Sequence, residues 1–257
     1  MAFMVVDAMM AQGNIHSPGE GGVFTPERYA LLKSDRGELG GLGNNPNMMN
    51  LYSDMRIKFA KMGEEVRLTL DDIYGSIYLD DQFRLGTLYD NGVAYKKLHM
   101  RYDAYNDEFE IKETGTSESV HALIKHSAIS CSLEGDTFIY YEYGDNKNMT
   151  KEGYLIVLYS GMAYKLYQRN MKVFKEGKQA KTSHGTSFPH RFIEETEFFV
   201  SKNGEMPKFL YPKKSEVLSF LGKDKEKTLK KFIKDKKINL MRRKDLIDLF
   251  SFSDQLE

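Results

Sequence analysis

The sequence predicts a mainly β protein of α+β type, in which a long antiparallel meander forms a curved sheet or an incomplete barrel. Three observations predict this fold class. Apolar and polar residues alternate with a period of two between Gly75 and Lys112. Short turn sequences separate nearly all the candidate strands, and no helix-length crossover lies between them. About nine or ten strands are too many for a flat open sheet, which curls or closes at that size.

The composition is sufficient for a large packed core, since 41% of the 257 residues are apolar and 12% are aromatic. Lys and Arg together number 37, as do Asp and Glu, which argues against a whole-protein electrostatic role on nucleic acid. The charge is nevertheless segregated, because thirteen Lys or Arg and only four acidic residues lie between Lys213 and Lys244. The single Cys131 excludes an internal disulfide, and its place between Ile129 and Leu133 predicts a buried, inert thiol.

The first eleven residues, MAFMVVDAMMA, are typical of the end of a secretory signal peptide, and cleavage is expected between Ala11 and Gln12. Because a positively charged start is missing and Asp7 interrupts the run, we interpret residues 1–11 as a truncated signal peptide. This interpretation predicts a periplasmic or secreted protein. An apolar N-terminus that contacts the core is the alternative. No run approaches the roughly 18 apolar residues of a membrane span, so no transmembrane segment is expected.

Residues 12–45 are rich in Gly, Asn, Ser and Pro and are predicted to form an irregular arm. Residues 46–63 are predicted to form an amphipathic helix, with Asn45 as its N-cap and Pro46 at its first position. Its apolar face, which is expected to pack on the sheet, carries Met48, Tyr52, Met55, Phe59 and Met62.

The antiparallel β domain is predicted over residues 64–212. Asn91-Gly92 is its clearest turn, since this pair readily adopts the two positive φ angles of a type I′ hairpin. In the strands that follow, the predicted buried face carries Leu98, Met100, Tyr102, Ala104, Phe109 and Ile111. The predicted solvated face carries Lys97, His99, Arg101, Asp103, Glu108, Glu110 and Lys112. Strands are expected near residues 86–90, 93–104, 108–113, 119–125, 128–133, 137–143, 154–159, 162–174, 192–200 and 205–210.

Two segments of this domain break the alternating pattern. Tyr154–Tyr159 is apolar without alternation, which predicts a strand covered on both faces at the centre of the core. Lys175–Arg191 is polar and unpatterned, and a loop of this length is either disordered or functional.

Residues 213–257 are predicted to form a basic tail of three short helices, which are stable only when their apolar faces dock. The second and third faces carry Leu229, Phe232, Ile233, Leu246, Ile247, Leu249 and Phe250. The basic side chains are candidates for binding an anionic surface, above all Lys230, Lys234, Lys237, Arg242 and Arg243. Nucleic acid is not expected as a partner, because no aromatic residue is interleaved at stacking positions.

Three segments of the chain resemble a set of uncharacterised exported proteins of Bacteroidota-type bacteria. They are Ile73-Tyr74-Gly75-Ser76-Ile77-Tyr78-Leu79 leading into Phe83 and Gly86, the segment from Leu98 to Lys112, and the closing segment from Leu229 to Phe250. The resemblance covers about the last two-thirds of the chain. It implies a secreted or periplasmic, sheet-dominated protein with a basic helical tail, and it brings no known activity and no catalytic residue.

No residue pattern predicts a catalytic residue, a metal site or a cofactor. His184, Ser187 and His190 lie near Glu194 and Glu195 and are residue types of acyl transfer, but without a nucleophile elbow an exposed polar loop is favoured. His121 and His126 lack a partner at metal-ligand spacing and are interpreted as structural. A calcium site is disfavoured because the spacing lacks the Gly and terminal Glu of a calcium loop, so a solvated sheet face is predicted for Asp103, Asp107, Glu108 and Glu110.

Three functional hypotheses follow. The first is an exported, non-enzymatic binding or structural component of the cell envelope, whose partner is an envelope protein, a lipid or a polysaccharide. The second is a carrier that holds an apolar ligand on the concave face of the sheet, with Tyr140, Tyr141 and Tyr143 among the lining residues. The third, which the residues favour least, is a hydrolase that uses the loop at residues 175–191.

Overall fold

The structure is a computed structural model. It describes residues 73–178 and 187–257, together with the backbone of a two-residue strand at Lys33–Ser34. The predicted signal peptide at residues 1–11 and the predicted helix at residues 46–63 lie outside the described residues, as does the arm at residues 12–45 apart from that strand. These interpretations therefore stay predictions.

The mainly β fold class is confirmed. In the described parts of the chain, eleven strands form one mixed sheet, and three short helices follow. The strands are β1 (Lys33–Ser34), β2 (Arg84–Asp90), β3 (Val93–Asp103), β4 (Glu108–Lys112), β5 (His121–Leu123), β6 (Ile129–Leu133), β7 (Asp136–Gly144), β8 (Thr150–Ser160), β9 (Tyr164–Lys175), β10 (Arg191–Lys202) and β11 (Lys208–Leu210). The helices are α1 (Lys214–Leu221), α2 (Glu226–Asp235) and α3 (Arg243–Asp254). Every strand predicted from the sequence is present, with its ends moved by a few residues.

The strand order is β1-β5-β4-β3-β2-β6-β7-β11-β10-β9-β8, and β8 also pairs with β7. Strands β7 to β11 therefore close into a ring. Most neighbouring strands are consecutive and antiparallel, as in a meander. Three pairings in the described residues depart from a simple meander, since β1 lies beside β5, β6 lies beside β2 and β11 runs parallel to β7.

The short β5–β6 connection shows how strongly the first part of the sheet is curved. β5 ends at Leu123 and β6 begins at Ile129, yet β4, β3 and β2 lie between them in the strand order. In a flat sheet the four spacings would span about 19 Å, which is close to the roughly 20 Å reach of fully extended chain. Because the connection contains a turn at residues 127–128, it is not fully extended. The strands β2 to β5 must therefore roll, so that β5 approaches β6.

Tight turns join several of the antiparallel neighbours. At the predicted Asn91-Gly92 turn, φ is 51° at Asn91 and 78° at Gly92, which are the two positive values of a type I′ hairpin. This hairpin is confirmed. Asn203-Gly204, between β10 and β11, has the same pair of positive φ angles.

The first apolar core lies on the inner face of β2 to β8. All six residues of the predicted buried face of β3 and β4 are buried there, so this prediction is confirmed. Cys131 is also completely buried in this core, as predicted. Burial raises the pKa of the Cys131 thiol, which keeps it in the unreactive protonated form.

The prediction of a solvated face opposite this core is wrong for Asp103 and Glu110, which are 0% and 1% exposed. The cause is the irregular segment at residues 73–83, which folds over this face of the hairpin. The Ala104 N–H donates to the Ile77 carbonyl at 3.0 Å and holds the segment in place. Alternation within a strand identifies its two faces, but it does not show that a distant segment covers the polar one.

Strand β8 is buried over residues 153–156, which confirms the prediction of cover on both faces for the first part of Tyr154–Tyr159. Tyr154 and Ile156 belong to the first core, whereas Leu155 points to the other side. There it packs in a second core with Tyr143, Tyr167 and Phe199. Residues 157–159 are only half-buried.

The three helices dock on one end of the ring through their apolar faces. Leu229, Leu246, Leu249 and Phe250 are completely buried in a third core, and the helical residues pack there against Tyr164, Leu166, Phe198, Val200 and Leu210. Two charged side chains of α3 bind turns of the sheet. Arg243 forms a bidentate salt bridge with Asp136 at the β6–β7 turn.

Asp254, at the end of α3, makes the second contact by binding the β8–β9 turn. Its carboxylate accepts hydrogen bonds from the Tyr159 hydroxyl at 2.9 Å and from the backbone N–H groups of Met162 and Ala163 at 2.7 and 2.8 Å. Gly161 lies so close to this carboxylate that a Cβ there would collide with it. A larger residue at this position would therefore force the Asp254 and Tyr159 side chains to move.

We expect Asp254→Asn to destabilise the protein by about 2 kcal/mol, because an amide replaces one acceptor oxygen and leaves a turn N–H without its charged partner. Urea unfolding followed by circular dichroism measures this change. The control is Asp248→Asn, an exposed residue of the same helix, which should stay within about 0.5 kcal/mol of the wild type. Equal unfolding midpoints for both variants would contradict the role assigned to Asp254.

Candidate functional site

A buried carboxylate joins the β3–β4 hairpin to the ring of strands. Asp107 lies at the tip of this hairpin and is 9% exposed. It accepts hydrogen bonds from the Tyr102 hydroxyl and from the Tyr154 backbone N–H, the latter at 3.2 and 3.3 Å, and the Arg169 guanidinium lies 3.6 Å away. Burial, and then the charge of Asp107, raises the pKa of Tyr102 well above its ordinary value, so the hydroxyl remains a donor. These groups satisfy one another, which indicates a structural role.

The other carboxylates that were considered as calcium ligands also have protein partners. Asp103 accepts hydrogen bonds from two backbone N–H groups of its own hairpin, at 3.1 and 2.9 Å. Glu108 lies 3.6 Å from Lys125, and Glu110 accepts a hydrogen bond from Arg101 at 2.7 Å. Within the described ranges, no group of three or more potential metal ligands is present. The hairpin carboxylates are therefore bound internally and do not form the solvated surface that was predicted.

A surface groove of about 490 Å³ opens beside β7. We call it the β7 groove, and it is lined by Lys125, His126, Ser127, Tyr140, Tyr141, Glu142, Glu152 and Met206. Its volume is within the range of ligand sites, and its lining combines aromatic, aliphatic and charged side chains. Two of the three tyrosines predicted as ligand contacts thus lie together in it.

Tyr143, the third predicted tyrosine, does not line the groove. It is 1% exposed and packs on Phe199 in the second core, with ring centroids 4.7 Å apart. Burial, which outweighs the nearby Arg169 charge, raises the pKa of Tyr143 to about 12. Its role is therefore in packing.

Two carboxylates dominate the charge of the β7 groove. Glu142 on β7 lies directly opposite Glu152 on β8, and both are exposed. Glu152 accepts a hydrogen bond from the Tyr140 hydroxyl at 3.1 Å, and burial together with this bond raises the pKa of Tyr140 to about 12. Neither glutamate has a Lys or Arg partner among the described residues. The one lysine of the groove, Lys125, already lies against Glu108.

A second candidate surface lies on α2. Its inward face buries Leu229 and Ile233, so the residues on the opposite side project into solvent. We call this side the α2 basic surface, and it comprises Lys227, Lys230, Lys231, Lys234 and the adjoining Lys237, all exposed. Lys230 pairs with Glu226 at 2.5 Å, whereas Lys227, Lys231 and Lys234 have no carboxylate partner in the described part of the chain.

The two predicted arginines of the tail differ in whether their side chains are free to bind an anionic surface. Arg242 is exposed at the start of α3, next to the exposed Met241. Arg243 is engaged by Asp136, and this bond, followed by the charge of Asp136, raises the pKa of Arg243 further. Of the five predicted cations, Arg243 is therefore engaged by Asp136 and Lys230 by Glu226.

The residues considered for catalysis are only partly described, since His184 lies outside the described residues. His190 accepts a hydrogen bond from the Gly177 N–H at 2.9 Å and stacks on Phe174. Ser187 is exposed. Glu194 and Glu195 lie within 3.3 Å of Lys172 and Lys175 on β9. The hydrolase hypothesis remains a prediction.

Of the other two histidines, His121 lies half-buried in β5. His126 accepts a hydrogen bond from the Ala128 N–H at 3.1 Å in the β5–β6 connection.

Comparisons with known proteins found no matching family model, no similar curated protein and no similar solved structure. The resemblance to exported proteins therefore stays a prediction. None of the described helices is long and apolar enough to cross a bilayer.

Sequence reasoning missed the charged half of the β7 groove. A usable signal was present, because alternation places Tyr140 and Glu142 on one face of β7. The tight turn at residues 145–149 then sets the register that brings Glu152 opposite Glu142. Lys125 and His126 reach the groove only through the rolling of the sheet, which no local pattern predicts.

We expect Asp107→Asn to destabilise the protein by about 3 kcal/mol, because Arg169 loses its nearest carboxylate inside the fold. Urea unfolding followed by circular dichroism measures the change. The control is Glu194→Gln, which removes an exposed ion pair and should cost less than about 0.5 kcal/mol. A cost for Asp107→Asn no larger than that of the control would contradict the structural role of Asp107.

Proposed function

We propose that the protein is an exported, non-enzymatic binding component of the bacterial cell envelope, which attaches to anionic lipid surfaces through the α2 basic surface. The observation that carries this proposal is the set of lysines on α2 without carboxylate partners in the described part of the chain: Lys227, Lys231 and Lys234. Their charge is available to phosphate groups outside the protein.

The α2 basic surface is held in a fixed orientation. Leu229 is completely buried, and Ile233 is 8% exposed, so the helix is anchored along its whole inner side. A docked helix does not lose backbone entropy on binding, which favours association. Each lysine near an anionic membrane contributes about 1 kcal/mol, so three of them together contribute about 3 kcal/mol.

The envelope location is supported by the apolar start of the chain and by the resemblance to exported proteins. An exported protein with a basic face meets lipid headgroups, surface polysaccharides and other envelope proteins. We favour lipid because Met241, which is 64% exposed, lies in the connection that follows the α2 basic surface. An exposed apolar side chain beside several lysines suits the boundary between headgroups and acyl chains.

The β7 groove supports a second candidate function, that of a carrier. The rings of Tyr140 and Tyr141 offer the apolar contacts that this hypothesis needs. The accompanying Glu142 and Glu152 favour a ligand that also carries a polar or positively charged group.

We expect the protein to bind vesicles that contain phosphatidylglycerol and not vesicles of phosphatidylcholine alone. Binding should weaken steeply between about 0.05 and 0.5 M salt, because the Debye length shortens over this range. Replacing Lys227, Lys231 and Lys234 by Gln should reduce the vesicle affinity by about 100-fold. Co-sedimentation with the vesicles measures both effects.

The matched control for this experiment removes three exposed lysines elsewhere: Lys97, Lys147 and Lys178. These substitutions change the net charge equally and should alter the affinity by less than about threefold. An equal loss in both variants, or binding that does not depend on salt, would contradict attachment through α2. Binding to an acidic polysaccharide but not to the vesicles would show that the partner is a polysaccharide and not a lipid.

For the export part of the proposal, we expect protein that is expressed from a gene extended upstream of Met1, and recovered from the envelope fraction, to begin at Gln12. The reason is that the small side chain of Ala11, at the end of an apolar run, suits a signal peptidase. N-terminal sequencing of the recovered protein measures this. Recovery only from the cytoplasmic fraction, with residues 1–11 still attached, would contradict export.

A further inference from the structure

The sheet contains a gap beside β7. On one side of β7, residues 136–139 pair with β6, and Gly144 pairs with β11. Between these two contacts, the only strand that pairs with Tyr140–Tyr143 in the described parts of the chain is β8, on the opposite side. The β7 groove occupies this gap, so its floor includes an edge of backbone as well as side chains.

The hydrogen bonds around the gap show which peptide groups face it. In an antiparallel pair, the N–H and C=O of one residue point to the same side, and the side alternates along the strand. The Gly144 N–H donates to the Pro207 carbonyl at 2.8 Å, on the β11 side. The Tyr154 N–H, opposite Tyr140, donates to a side chain and not to β7. Both bonds place the peptide groups of Tyr140 and Glu142 on the side of the gap, where the Tyr140 N–H faces the end of β6 and the Glu142 groups face the open part.

The side chains around this edge are mainly acidic on one face of the strand pair and aromatic on the other. Tyr140, Glu142 and Glu152 share one face of the β7–β8 pair, whereas Tyr141 lies on the other. Like charges directly opposite each other destabilise a sheet, so Glu142 and Glu152 would gain from a cation between them. The Tyr141 ring, 37% exposed, would gain from an apolar contact.

From this arrangement we infer that the β7 groove binds an extended peptide segment, which adds a short strand to the open edge at Tyr140–Tyr143. Strand addition supplies backbone hydrogen bonds, and the alternating side chains supply the sequence preference. Residues opposite Tyr140 and Glu142 place their side chains beside the two carboxylates, and the residue between them faces Tyr141. The preferred segment is therefore a basic-apolar-basic tripeptide. This inference uses neither the α2 basic surface nor lipid, so it stands apart from the proposed attachment to membranes.

The test uses the full chain and a fluorescein-labelled peptide, acetyl-Ser-Lys-Val-Lys-Ser-amide, with fluorescence anisotropy as the measurement. We expect this peptide to bind at least about tenfold more tightly than the same peptide with Glu in place of both Lys. A version with N-methyl groups on the three central residues should also lose at least about tenfold, because it lacks the donors for strand pairing.

On the protein side, Glu142→Gln with Glu152→Gln should weaken binding of the lysine peptide by about tenfold. Because this change removes a repulsion, the variant should fold as stably as the wild type, which circular dichroism checks. The matched control, Glu194→Gln with Glu195→Gln, removes two exposed carboxylates on β10 and should leave the affinity unchanged. The variant without three α2 lysines should bind the peptide normally.

Three outcomes would overturn the inference. The first is the absence of binding by the lysine peptide. The second is an unchanged affinity in the Glu142 and Glu152 variant. The third is equal binding of the N-methylated peptide, which would show attraction between charges without strand addition.

Discussion

The fold depends on one buried carboxylate. Asp107 sits at the tip of the β3–β4 hairpin, and through Tyr154 and Arg169 it is bonded to β8 and β9 of the ring. Two curved parts of the sheet are thus held together at a charge that is costly to bury unless it is bonded. Gly153 leaves room for the Asp107 carboxylate, because a Cβ at this position would collide with it. Hydrophobic packing makes the two parts compact, and the polar contact defines how they meet.

The charged groups inside this protein mainly form salt bridges and hydrogen bonds that connect separate segments of the chain. Arg101 and Glu110 hold the covering segment through hydrogen bonds with Tyr78, and Arg243 with Asp136 holds α3 at the β6–β7 turn. Against this background, Lys227, Lys231 and Lys234 of the α2 basic surface and the two glutamates of the β7 groove are different, because these side chains have no salt-bridge partner among the described residues. Both proposed binding sites use these charges.

The sequence was most informative wherever structure is decided locally. The Asn91-Gly92 hairpin, the buried face of β3 and the burial of Cys131 follow from turn chemistry and alternation, and all are present. The burial of Asp103 could not be derived in this way, because its cover comes from residues 73–83. The candidate site shows the same division. Tyr140 and Tyr141 of the tyrosine-rich strand line the β7 groove, whereas Tyr143 is buried, because only the ring of strands places a second core behind it.

The position of Cys131 gives this chain an internal reporter. It is the single cysteine of the sequence, it has no exposed surface, and it lies on β6 between β2 and β7. A maleimide can reach its sulfur only in molecules where those three strands have separated, since the reagent requires an accessible thiolate. The rate of thiol modification in the untouched wild-type chain therefore reads out how often the centre of the sheet opens.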